Sequence, residues 1–89
     1  MKERYLEVTF QKGKPIAGYL YLPRTGEAKS ARTEEIVPGL LIDLSESGEP
    51  IGFEITAPGR VRLEDINAAL KRLGLDPIGA EELAPLVAA

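Results

Sequence analysis

Asp43-Leu44-Ser45-Glu46-Ser47-Gly48, with Glu54 beyond it, is the stretch whose spacing most resembles a chemical device. Counted from Asp43, oxygen-bearing side chains fall at positions 1, 3 and 5, glycine at 6 and glutamate at 12. That is the spacing of a calcium-binding EF-hand loop, where a tight turn lets alternate side chains converge on one ion. Such a loop lies between two helices, and here both flanks alternate like strands. Ser45 and Ser47 bring no charge, and Pro50 removes a backbone N–H from the segment. An ordinary β-turn is the reading the flanks favour. Asp43 and Glu54 also invite comparison with the paired carboxylates of glycosidases. Both are expected on a solvated strand face beside Gly52, where nothing would drive their ionisation apart.

The remaining catalytic repertoire is narrow. The chain has no cysteine and no histidine. Cys and His metal sites, a cysteine nucleophile, a Ser-His-Asp triad and a histidine acid or base are thereby excluded. No disulfide can staple the fold. No G-K-[ST] phosphate loop occurs. Arg60, Arg62, Lys71 and Arg72 form a small basic region, but Glu64 and Asp65 interrupt it and no aromatic residue is interleaved for base stacking. Neither catalysis, a cofactor, a metal nor a nucleic acid is expected.

Three tyrosines are more informative. Tyr5, Tyr19 and Tyr21 are expected on one sheet face, opposite the core side, with Leu41 joining them. Tyrosine is enriched at interfaces because it offers apolar area with a polar tip. It also stabilises sheets locally through cross-strand pairs. These four residues are the candidate interface.

The elements that must position them can be read from periodicity. Leu6, Val8 and Phe10 alternate with Tyr5, Glu7 and Thr9, which defines a strand. Gln11-Lys12-Gly13 reads as a three-residue turn with its glycine left-handed. That register sets Val8 opposite Ile16, Leu6 opposite Gly18, Arg4 opposite Leu20 and Tyr5 opposite Tyr19. Residues 23–30, with Pro23 and Gly26, read as a loop, and Arg32 to Val37 as a short strand stopped by Pro38-Gly39. Leu40, Ile42 and Leu44 then alternate, and across Ser45-Glu46-Ser47-Gly48 so do Ile51, Phe53 and Ile55. The expected register puts Ile42 opposite Ile51 and Leu40 opposite Phe53. Ile66, Ala69, Leu70 and Leu73 form one apolar stripe on a helix from Leu63 or Glu64 to Leu73, with Gly74 ending it. A second, short helix begins near Ala80 and is expected to be limited by Pro85.

The sum is one α+β domain over 1–89. An antiparallel β-meander of four or five strands fills 1–56, and a helical C-terminal segment over 63–88 packs on one face. The expected core is Leu6, Val8, Phe10, Ile16, Leu20, Leu40, Ile42, Phe53, Ile55, Ile66, Leu70 and Leu73. The order of strands in the sheet is left open.

Val37-Pro38-Gly39-Leu40-Leu41-Ile42-Asp43, then Gly48, then Gly52-Phe53-Glu54-Ile55, resembles a small prokaryotic family of domains of unknown function, catalogued as 2283. Tyr19-Leu20-Tyr21-Leu22 resembles its aromatic-aliphatic strand, so the likeness covers about residues 15–56. The chain departs from the family pattern at Gln11-Lys12-Gly13-Lys14 and where Ser45 and Ser47 stand in place of turn acids. The resemblance implies a small sheet domain and no catalysis.

Charge is unevenly placed. Residues 1–30 carry six basic and three acidic groups, 31–59 one basic and six acidic, and 60–89 four basic and five acidic. The acidic middle suits a basic protein partner. The N-terminal residues have no apolar core of a signal peptide, and no apolar run reaches the ~20 residues of a membrane span. The expectation is a cytoplasmic, non-enzymatic protein-interaction or self-association module, a homodimer being one form. The alternatives are an acidic regulatory partner of a basic protein and a calcium or small-ligand binder.

Overall fold

A computed structural model describes residues 4–23 and 29–87, the last without its side chain. Residues 24–28 of the expected loop, with Gly26, and residue 88 of the expected helical segment lie outside the described residues. Five strands are followed by two helices: β1 (Tyr5–Gln11), β2 (Lys14–Tyr21), β3 (Arg32–Val37), β4 (Leu40–Leu44), β5 (Pro50–Ile55), α1 (Leu63–Arg72) and α2 (Ala80–Val87). The strands form one sheet in the order β1-β2-β5-β4-β3, every neighbouring pair antiparallel. The α+β sheet with C-terminal helices is thus the expected one. Its two pieces, the β1–β2 hairpin and the β3–β4–β5 meander, join through β2 and β5, which leaves β1 and β3 as the sheet's free edges among the described residues.

Both hairpin registers differ from expectation by two residues. Leu6 pairs with Leu20 and Val8 with Gly18, and Tyr5 pairs with Tyr21, not Tyr19. Ile42 pairs with Phe53 and Leu40 with Ile55. The cause in the first hairpin is the turn. Lys12 and Gly13 both have positive φ, 52° and 78°, so they form a two-residue turn of the type that matches strand twist. A bulge between Thr9 and Phe10 absorbs the odd residue. In the second hairpin the register shifts between Asp43 and Leu44. A slip of two preserves strand parity, so away from the bulges the side chains keep their expected faces.

The helix-covered face reads across the strands as Leu6, Leu20, Phe53 and Ile42, then Val8, Gly18, Ile55 and Leu40. Leu20, Phe53, Ile55 and Leu40 are fully buried. The core adds Leu22, Leu44, Val61, Ala69, Ile78, Leu83 and Leu86 to the expected set. Phe10 and Ile16 are corrections: they are 53% and 44% exposed. Ile16 is the unpaired residue of the bulge and Phe10 the first paired residue beyond it, at the turn end of the hairpin.

Helix α1 forms because Ile66, Ala69 and Leu70 make one buried stripe while Glu64 and Asp65 begin it and Lys71 and Arg72 end it. The guanidinium of Arg62 cannot accept a cap bond, so only the reverse half of a capping box forms: Arg62 N–H donates to Asp65 Oδ2 at 2.9 Å. At the other end Leu75 N–H bonds Leu70 O and Gly74 N–H bonds Lys71 O, a Schellman stop. Asn67 then fixes the following segment. Its amide donates to Ile78 O at 3.0 Å and accepts from Ile78 N–H at 2.7 Å.

Helix α2 lies over β1 and β2. Pro85 does not end it, contrary to expectation. The proline forfeits a bond to the carbonyl one turn earlier. It sits on the exposed side, while Leu83 and Leu86 are buried and anchor the helix. Gly18 gives α2 its close approach, since a Cβ there would lie 2.7 Å from Leu86 Cδ1. Arg4 ties the start of the chain to this helical layer, donating to the carbonyls of Asp76 and Pro77 and pairing with Glu82.

Candidate functional site

No helix among the described residues covers the opposite face of the sheet, and two rows of side chains cross it. One row runs Tyr5, Tyr21, Gly52, Asp43 and Thr33. The other runs Glu7, Tyr19, Glu54, Leu41 and Glu35. All four candidate interface residues, Tyr5, Tyr19, Tyr21 and Leu41, therefore share this face, as strand parity requires. The three tyrosines touch: Tyr5 stacks on Tyr21 with centroids 4.6 Å apart, and Tyr19 meets Tyr21 edge-on at 4.6 Å. Leu41 does not adjoin the rings in the ladder. Glu54 stands between it and Tyr19.

Tyr19 departs from its row. Its ring leans diagonally over Gly52, where a Cβ would fall 2.4 Å from Tyr19 Cε2. Its hydroxyl donates to Asp43 Oδ2 at 2.9 Å, and the Thr33 hydroxyl donates to Asp43 Oδ1. The expectation of a solvated Asp43 is thereby corrected: it is only 6% exposed. A buried carboxylate is costly unless hydrogen-bonded, and two hydroxyls satisfy it here. Burial, the Asp43 hydrogen bond and the neighbouring charges of Asp43 and Glu54 push the Tyr19 phenol far above its ordinary pKa. Tyr21, whose hydroxyl donates to Glu7 Oε1 at 3.2 Å, is also raised, by burial and then by the Glu7 carboxylate.

The sequence missed Thr33 as a partner and Gly52 as the residue that lets Tyr19 lie flat. The signal for Gly52 was present, a glycine inside an alternating strand, which marks a close approach. Thr33 had no usable signal, because the pairing of β3 with β4 depends on the turn at Pro38-Gly39.

The EF-hand-like spacing does not assemble into a ring of oxygens. Asp43 faces Gly52 and Glu54 faces Leu41, two positions along the ladder. Ser45 Oγ meets Ser47 Oγ at 3.0 Å and accepts from Glu49 N–H at 3.0 Å. Gly48 N–H closes a β-turn on Ser45 O.

Asp43 is thus committed to two hydroxyls, while Glu7 bonds one phenol. Among the described residues, neither these two nor Glu35 and Glu54 form an ion pair. A groove of about 460 Å³ opens on the helix side between β3, β4 and α1, floored by Ile42, Leu44, Ala69 and Leu73. The tyrosines lie on the other side of the sheet from it.

The fold and this face define a small α+β sheet domain with one face covered by helices and the other aromatic and acidic. Over residues 17–57, from β2 to just past β5, the chain matches the family model described as "Protein of unknown function (DUF2283)" and resembles that family there. No curated protein and no solved structure matches the chain.

Proposed function

We propose that this domain is a non-enzymatic protein-interaction module whose helix-free sheet face binds a basic segment of another protein. The observation that carries it is the row Glu7, Tyr19, Glu54, Leu41 and Glu35. It places a carboxylate on every second strand, about 9.6 Å apart at ordinary strand spacing, with apolar groups between. Side chains seven residues apart on a helix project about 10.5 Å apart, so a basic helix laid across the strands matches the row. The Tyr5–Tyr21 stack beside it offers ring faces that attract guanidinium and ammonium groups. Two copies placed face to face would oppose these acids with one another, which disfavours self-association through this face.

Calcium is a poorer occupant, because Asp43 is already committed to Tyr19 and Thr33 and is offset from Glu54. We place the interaction in the cytoplasm. A chain without cysteine suits that compartment, and no helix among the described residues is long and apolar enough to cross a membrane.

The chain contains no tryptophan and three tyrosines, all in this cluster, so tyrosine fluorescence reports on the face directly. Titration with an oligo-arginine peptide is expected to give a saturable change that weakens with added salt. It should be largely lost in the Glu7→Gln/Glu54→Gln variant. An equal response to an oligo-glutamate peptide, or none to either, would overturn the reading.

A further inference from the structure

The two free edges of the sheet are unlike. Edge β3 begins Arg32-Thr33-Glu34-Glu35 and carries an Arg32–Glu34 ion pair at 2.8 Å. Charged side chains are the usual guard against edge pairing. Edge β1 is seven residues long, Tyr5–Gln11, and its one charged residue is Glu7. The large hydrophobic residues exposed among the described ones also gather here: Tyr5 at 50% and Phe10 at 53% on β1, and Ile16 at 44% on the adjoining β2. A long, little-charged edge bordered by exposed apolar groups is a template for another strand.

We infer that β1 pairs antiparallel with β1 of a second copy, with Val8 on the two-fold axis, joining two five-stranded sheets into one of ten. The self-complementarity of the sequence selects this occupant and this register. About Val8, Leu6 faces the second copy's Phe10 and Glu7 faces its Thr9, so no like charges meet within the strand. Pairing about Glu7 would set two carboxylates directly opposite, which destabilises an antiparallel pair. The Val8 register covers Phe10 with an apolar neighbour. It also makes the aromatic and acidic faces of both copies one continuous surface, with Glu7 and Thr9 of the two copies nearest the axis and a Tyr5–Tyr21 stack further out on either side of it. A closed two-fold pairing uses up the edge on both sides and stops there.

The chain's lack of cysteine makes the register directly testable. In the Val8→Cys variant the two sulfurs belong to directly opposed residues, whose Cα atoms lie about 4.5–5.5 Å apart, within disulfide range. Leu6 and its own copy would be four positions apart, about 14 Å, beyond that range. Under mild oxidation Val8→Cys is expected to give a covalent dimer. Leu6→Cys and Phe10→Cys should each remain largely uncross-linked, while their mixture gives the mixed dimer. Light scattering on the unmodified chain should show a dimer that dissociates on dilution. Phe10→Lys, at a solvent-exposed position, should be monomeric with an unchanged circular dichroism spectrum. A monomer at every concentration would overturn the inference, as would preferential cross-linking through Thr33→Cys on the other edge. Oligo-arginine binding by monomeric Phe10→Lys reads the sheet face independently, so failure of the dimer and failure of the proposed function are told apart.

Discussion

The Tyr19 hydroxyl reaches the Asp43 carboxylate at 2.9 Å although the two residues belong to strands separated by β5. The ring bridges that strand because Gly52 leaves the pleat empty beneath it. One contact thereby ties the β1–β2 hairpin to the β3–β4–β5 meander on the face without helices. On the other face the same joint is made by Leu20 against Phe53, both fully buried. The sheet is thus held on both sides at the seam where its two pieces meet out of chain order.

That seam should show energetic coupling. Tyr19→Phe removes one of the two hydroxyl donors to a buried carboxylate, and a loss of about 1.5–3 kcal/mol is expected for a hydrogen bond to a charged group. Asp43→Asn weakens the same bond from the other side. In a double-mutant cycle by urea denaturation, the combined loss should fall short of the two single losses by about 1 kcal/mol or more. Strict additivity would mean that the bond contributes nothing.

Gly52→Ala should be more damaging than Gly18→Ala, although both glycines lie in strands. A methyl group at 52 meets the rigid ring of Tyr19 at 2.4 Å, whereas one at 18 meets the movable end of Leu86 at 2.7 Å. Overpacking costs typically about 1–3 kcal/mol, and Gly52→Ala is expected near the top of that range because it also dislodges Tyr19 from Asp43. Denaturation midpoints and the tyrosine fluorescence of the folded state check this, the latter changing only for Gly52→Ala.

Strand parity carried most of what the sequence could reveal. Leu6, Val8, Leu20 and Phe53 all point to the helices, and Tyr5, Tyr19, Tyr21 and Leu41 all point away, despite registers displaced by two residues. An even slip leaves faces intact and changes only which residues oppose. The exact pairings were not legible because they depend on Lys12 adopting positive φ and on single-residue bulges. Both are small local choices that the hydrophobic pattern does not encode. Phe10 and Ile16 fit the core pattern equally well, but they lie at the turn end of the hairpin, and both remain exposed. The burial of Asp43 required knowing that β2 adjoins β5, a long-range pairing with no local signal.

Alkaline pH should destabilise the protein through the tyrosine cluster. Tyr19 and Tyr21 hold their protons in the folded state above the ordinary phenol value of about 10. Above about pH 10 the unfolded chain releases protons that the folded chain retains, so rising pH favours unfolding. The stabilisation is therefore complete below about pH 10 and is lost as pH rises toward the folded-state values. Urea midpoints measured across this range should fall. Asp43→Asn should bring Tyr19 ionisation to lower pH, seen in phenolate absorbance. A midpoint indifferent to pH above 10 would contradict the shift.

Asn67→Ala tests the joint between the helices and the sheet. The Asn67 amide exchanges two hydrogen bonds with the backbone of Ile78, whose side chain is buried in the core. Removing it leaves the Ile78 N–H and carbonyl without those partners in a part-buried setting, at a cost of about 1–3 kcal/mol. The chain that follows carries Leu83 and Leu86 onto β1 and β2. The loss should therefore appear first as faster amide exchange in α2, ahead of the strands. Asn67→Asp retains the acceptor for Ile78 N–H but not the donor for Ile78 O, and should fall between the two. If α2 exchanges no faster in Asn67→Ala than in the parent, Ile78 is positioned by its core packing alone.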